Sequence, residues 1–167
     1  MRPGPIILFS AAIFVAAGSP PAESCATADR HEFDFVIGNW LVRDSSDHAV
    51  GTATVTRAYA GCVLVETWFG VGSIGESLGI IGFDTETGRW HRSFLDPAGV
   101  VLTFAGGIEG STMVMTGKEY RPEGVLVHRI TWRPRSDGTI EERWQVSSDE
   151  GHSWNVRLYG VYHRIAE

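Results

Sequence analysis

Several segments of this chain place ionisable side chains among aromatic and apolar ones at every second position, the spacing that puts residues on one face of a β-strand. Leu64, Glu66 and Trp68 share such a face, as do Trp90, Arg92, Phe94 and Asp96. Glu142 and Trp144 form a third set, and Trp154, Leu158 and Tyr162 a fourth. If these faces meet in one interior, the few charged groups among them are shielded from water. Burial pushes a carboxyl towards its neutral form, so Glu66 and Asp96 are the candidate acids or bases. Buried charges also need partners, so the same residues fit a structural ion pair of Glu66 or Asp96 with Arg92 or Arg129. A third use is binding. Trp68, Trp90, Phe94 and Trp144 would hold a small, largely apolar molecule, with Glu66, Arg92, Arg129 and Tyr162 orienting it.

Other chemistries lack their residues. The six histidines, His31, His48, His91, His128, His152 and His163, form no HExxH or other metal-ligand spacing. His91, His128 and His163 fall opposite the inferred interior positions and are expected at the surface. Gly72-Ser73-Ile74-Gly75 is one residue short of a Gly-x-Ser-x-Gly elbow, and the Gly70–Gly79 segment precedes no helix that could cradle phosphate. Neither a metal nor a cofactor is predicted. The net charge is −6 with acids and bases interspersed, and no basic stripe exists to follow a phosphate backbone, which argues against nucleic acid.

The elements that must position these side chains are short. No ten-residue segment of the chain beyond residue 28 has sustained helical periodicity. Alternating runs suggest strands at 39–44, 51–59, 62–69, 77–83, 89–96, 99–106, 111–118, 124–133, 139–147 and 153–164. Turn-forming groups such as Asp84-Thr85-Glu86-Thr87-Gly88, Asp96-Pro97-Ala98-Gly99 and Ser136-Asp137-Gly138 separate them. A single helical turn fits His31–Ile37. Even spacing with short polar hairpins indicates an all-β, up-and-down meander of about ten strands, closing into a single antiparallel barrel that leaves no exposed edge.

Two local motifs refine this. Gly38-Asn39-Trp40 opens the first strand, and Arg164, two residues after Tyr162, is placed to cover Trp40 through a cation–π contact. Ser147-Ser148-Asp149-Glu150-Gly151-His152-Ser153-Trp154 fits Ser-x-Asp-x-Gly-x-Ser-Trp, a hairpin in which Asp149 caps turn amides, Gly151 takes positive φ and Trp154 packs beneath. Such boxes also occur in glycosidase propellers, which need several blades and far more chain, so the role here is structural.

Together with Phe33-Asp34-Phe35, Gly61-Cys62-x-x-x-Glu66-x-Trp68, Trp90-x-x-x-x-x-Asp96 and Arg129-x-x-Trp132, these motifs resemble a family of small, mostly bacterial, often secreted calycin-like domains of unknown function. The resemblance spans residues 32–164. It implies a lipocalin-like antiparallel barrel and implies no reaction. The chain departs from the pattern at Glu141-Glu142-Arg143-Trp144-Gln145, where charges are exchanged. It also lacks the Gly-x-Trp-x-Gly-x-Gly opening of the more distant nitrobindin-like haem barrels.

The N-terminus reads as an export signal. Arg2 precedes an uncharged apolar core, Ile6–Ala17, which ends at Gly18-Ser19-Pro20-Pro21. That core is shorter than the roughly 20 residues a membrane-spanning helix needs. Cleavage fits after Ser24 or after Ala28, so residues 1–24, or as far as 28, are the signal and 29–167 the barrel domain. About 140 residues suffice for one domain with its own core. The chain is therefore expected to be periplasmic or extracellular, with no transmembrane segment once processed. Lipid anchoring through Cys25 is the weaker alternative, because Ala22-Glu23-Ser24 before it carries a charge. In an oxidising compartment Cys25 and Cys62 would form a disulfide if the cut precedes Cys25, closing about 37 residues and adding roughly 3 kcal/mol. Three functions remain: a small-ligand-binding barrel, a cofactor-independent isomerase or cyclase using a lumen carboxylate, and a structural or interaction domain. Oligomeric state is not legible.

Overall fold

The computed structural model describes residues 27–72 and 75–166. The expected export signal up to residue 26, its cleavage site after Ser24 and Cys25 lie outside the described residues. Ten antiparallel strands form one closed barrel. They are β1 (Gly38–Arg43), β2 (Ala49–Ala58), β3 (Val63–Gly70), β4 (Glu76–Asp84) and β5 (Arg89–Leu95), followed by β6 (Val101–Glu109), β7 (Thr112–Arg121), β8 (Gly124–Pro134), β9 (Ile140–Ser147) and β10 (Asn155–Arg164). Each strand pairs with its sequence neighbours, and β1 pairs with β10 to close the ring.

The barrel has two unlike ends. At one, two 3₁₀ turns, Ala28–His31 and Asp34–Val36, lie across the lumen where a single helical turn was expected. They act as a plug because Phe33 and Val36, three residues apart, are both buried in the core. Phe33 is 1% exposed and meets Trp132 and Trp90 edge-on at 5.2 and 5.8 Å between ring centres. Asp34 accepts a hydrogen bond from Arg57 of β2 and pairs with His31 at 2.7 Å, so the plug is tied to the wall as well as packed. Trp40 donates from its indole to the Val36 carbonyl at 2.8 Å, and Arg164 lies over its ring at 4.3 Å. Arg164 stands opposite Trp40 in the closing register and also donates to the Ile37 carbonyl at 3.1 Å. Gly38, with φ +140°, leaves the space its guanidinium crosses. Replacing Arg164 with glutamine removes the ring contact at an exposed site, and thermal denaturation is expected to show a loss of about 1 kcal/mol.

The other end carries the β3–β4, β5–β6 and β9–β10 connections and is open. The β9–β10 hairpin is rigid for a local reason. Asp149 accepts from the Ser153 amide at 2.8 Å, the Ser153 hydroxyl at 2.6 Å and the Ser147 hydroxyl at 2.7 Å. Those bonds, Ser153's foremost and Ser147's next, hold its carboxyl well below the usual range. Gly151 has φ +97°.

Cys62 is exposed at the start of β3 and carries no free thiol. Among the described residues no helix is long and apolar enough to cross a membrane.

Candidate functional site

The open end leads into a cavity of about 680 Å³. Its walls are the strand faces that the sequence alternation marks. Trp68 of β3, Phe94 of β5 and Trp144 of β9 supply aromatic surface, and Leu158 of β10 adds an apolar wall. Phe94 and Trp144 meet edge-on at 5.2 Å across the lumen. Glu76, Ser77, Asp96, Pro97 and Ala98 form part of the rim.

Four ionisable side chains gather deeper inside. Arg92 of β5 donates from Nη2 to Glu66 Oε2 of β3 at 2.6 Å, and the two residues are 5% and 6% exposed. They meet across β4 because Gly79, opposite Glu66 in the register and two residues from Arg92's partner Ile81, carries no side chain to separate them. A Cβ there would lie 2.8 Å from Glu66 Oε2 and 3.3 Å from Arg92 Nε. Burial opposes the charge on Arg92, but Glu66's charge and hydrogen bond outweigh it and raise the guanidinium pKa further. The rings of Phe94, Trp132 and Phe104 surround that guanidinium at 5.5, 5.7 and 5.9 Å. Its Nε and Nη1 are buried and find no acceptor.

On the opposing strands, Tyr162 of β10 donates its phenol to Glu142 Oε2 of β9. Glu142 is 4% exposed and makes no other hydrogen bond among the described residues. Burial, reinforced by the nearby charge of Glu66, lifts its carboxyl to about 7. Burial and the charges of Glu142 and Glu66 hold the Tyr162 phenol well above its ordinary value.

Trp144 is fixed from behind. Its indole can only donate, so the 3.0 Å contact makes His128 Nδ1 the acceptor. His128 Nε2 then carries the hydrogen donated to Glu119 Oε2 at 2.9 Å. His128 is fully buried, which corrects its expected surface position. Burial lowers its pKa although Glu119 opposes this, so the neutral ring persists. Arg157, an exposed residue of the cavity lining, stacks on the indole at 4.8 Å.

Among the sequence candidates, Glu66, Trp68, Arg92, Phe94, Asp96, Trp144 and Tyr162 line the cavity. Three placements need correction. Trp90 faces inward but sits at the plugged end against Phe33 and Phe83, away from the cavity. Arg129 lies on the outer face, bonded to Gln145 Oε1 at 3.0 Å and stacked on Trp154 at 4.1 Å, so it pairs with neither Glu66 nor Asp96. Trp154 is outside too, because a bulge between Val156 and Leu158 breaks the alternation in β10. The same bulge turns Arg157 and Leu158 both towards the cavity, where strict alternation allows one. Asp96 reaches the rim but is engaged by the Val100 amide at 2.9 Å in its own turn.

In the sequence, alternation places Glu142 on an interior face without making it a candidate acid or base and assigns His128 to the surface, and neither Arg157 nor Glu119 is singled out. Glu142's alternation with Trp144 was the available signal, and Ile130 and Trp132 give the parity that puts His128 inside. Among the described residues no group of three or more His, Cys, Asp or Glu side chains is placed to hold a metal. No known protein family matches the chain, and no characterised protein is significantly similar to it in sequence.

Proposed function

We propose that this is an exported, calycin-like barrel that binds one small, largely apolar molecule bearing an uncharged oxygen acceptor. The observation that carries this is a 680 Å³ cavity, open at one end, with aromatic walls, Glu66, Arg92 and Glu142 in its inner part and Glu76, Asp96 and Arg157 nearer its mouth. That volume lies within the roughly 300–1,000 Å³ of small-molecule sites, and aromatic walls with convergent polar groups are common in them. The charge balance favours a neutral ligand. In the inner part, with Glu142 protonated, Glu66 and Arg92 cancel, and a carboxylate seated there, away from Arg157 at the mouth, would add an uncompensated buried charge. Arg92 lines the cavity as well as holding Glu66, so a carbonyl-type oxygen seated against its guanidinium meets a cation without adding a charge.

Native mass spectrometry of protein purified from its own host is expected to show a co-purifying neutral small molecule. Trp68 and Trp144 line the cavity, so the same ligand should alter tryptophan fluorescence. Protein that carries nothing, together with a crystal structure in which side chains fill the lumen, would remove the proposal. Export itself is tested by the intact mass of the processed chain with and without reductant, which separates a Cys25–Cys62 disulfide from a lipid anchor.

A further inference from the structure

The two walls of the inner cavity carry complementary chemistry. On β3 and β5, Glu66 is held by Arg92, a buried cation that also lines the cavity. On β9 and β10, Glu142 has one oxygen engaged by Tyr162 and no hydrogen bond at the other among the described residues. A ligand entering from the mouth passes between these walls, since Glu66, Arg92, Glu142 and Tyr162 all line one cavity. Binding alone does not need a carboxyl kept unpaired in this setting. An ion pair or an amide would be less costly to bury.

We propose that the cavity catalyses proton transfer on a carbonyl compound, with Glu142 as the proton carrier and Arg92 as the group that stabilises the enolate oxygen. This rests on the binding proposal above and goes beyond it. The Glu142 carboxylate takes a proton from the carbon next to the carbonyl. The C–H electron pair moves into the new carbon–carbon double bond, and the carbonyl π pair moves onto oxygen, facing the guanidinium. The protonated Glu142 then returns its proton, either to the same carbon or, in a β,γ-unsaturated ketone, to the γ carbon. The second course yields the conjugated isomer and restores the carboxylate, with no oxidant, reductant or cofactor consumed. Glu66 is unsuited to this role because its Oε2 is committed to Arg92, and Asp96 is committed to its turn. Tyr162 acts as a positioning residue that orients Glu142. A carboxyl titrating near neutrality is matched to taking and returning a proton.

The bicyclic ketone β-tetralone suits the test, because its aromatic ring fits the tryptophan walls and its acidic C–H bonds exchange measurably. Binding of β-tetralone to the intact chain is followed by tryptophan fluorescence, and exchange of its α-hydrogens in deuterated water by proton NMR. Wild-type protein is expected to accelerate exchange over buffer, with a rate that rises with pH through about 7 as Glu142 becomes ionised. Glu142→Gln should lower the rate by on the order of 10²-fold or more with binding retained, and Glu142→Asp should recover part of it. Retained binding shows that the variant is folded. Binding without accelerated exchange, or equal exchange by wild type and Glu142→Gln, overturns the catalytic proposal and leaves the binding proposal standing. Failure of β-tetralone to bind also overturns the catalytic proposal, while the co-purification experiment decides the binding proposal separately.

Discussion

Replacing Glu66 with glutamine is expected to destabilise the barrel by about 3–5 kcal/mol at pH 5, the cost of leaving a buried cation without its counter-charge. Arg92 is 5% exposed, and among the described residues Glu66 is its one hydrogen-bonded acidic partner. Glutamine can still accept a hydrogen bond but does not neutralise the guanidinium. The loss should shrink at pH 8, and that difference is diagnostic. Glu66's own charge helps hold Glu142 neutral. Once it is removed, Glu142 ionises more readily and becomes a substitute counter-charge for Arg92 at higher pH. The double variant Glu66→Gln/Arg92→Met should be more stable than Glu66→Gln alone, because it buries no charge. Chemical denaturation at both pH values measures all three proteins. Equal losses at pH 5 and pH 8 would show that Glu142 does not answer to Glu66.

The strands were legible because a barrel wall that is apolar inside and wet outside imposes strict alternation, and because its hairpins need Asp, Gly and Pro at fixed places. All ten predicted strands correspond to β1–β10, with ends differing by a residue or two in most cases. Period-two alternation assigns a face and says nothing about depth along the barrel axis. Trp90 and Phe94 share a face of β5, yet one packs on the plug and the other on Trp144. Face assignment failed where the period itself broke, at the β10 bulge, and in β8, where Arg129 was taken as inward. There His128, Ile130 and Trp132 are the buried set. The acidity of Glu142 was not legible for a different reason. It arises from closure of the ring, which brings β9 and β10 to face β3 and β5, so that one carboxyl comes near another. No local pattern records which charges meet across a lumen. The reach of Arg92 to Glu66 depends likewise on Gly79 of the intervening strand, a residue with no chemistry of its own.

Glu142 should give the protein a pH-dependent stability that opposes ordinary acid denaturation. Its carboxyl titrates at about 7 in the folded chain against 4.5 when unperturbed. Between those values the folded state holds a proton that the unfolded state has released, so stability must fall as pH rises. The stabilising contribution is complete below about pH 4.5, declines through the interval and is gone above about pH 7. A difference of that size corresponds to about 3 kcal/mol between pH 4.5 and pH 8. Asp149 pulls the other way. Its hydrogen bonds favour the ionised form, so its contribution is present at neutral pH and lost only in strong acid. The two windows barely overlap, which lets one substitution separate them. Glu142→Gln should be more stable relative to wild type at pH 8 than at pH 5, by up to the same 3 kcal/mol, while the acid limb set by Asp149 is unchanged. Denaturant midpoints across pH 2–9 provide the measurement. Parallel curves for the two proteins would mean that Glu142 is ionised in the fold at neutral pH. The proton-transfer proposal would then lose its near-neutral carboxyl, since the same titration that weakens the fold above pH 5 is the one that would arm the base.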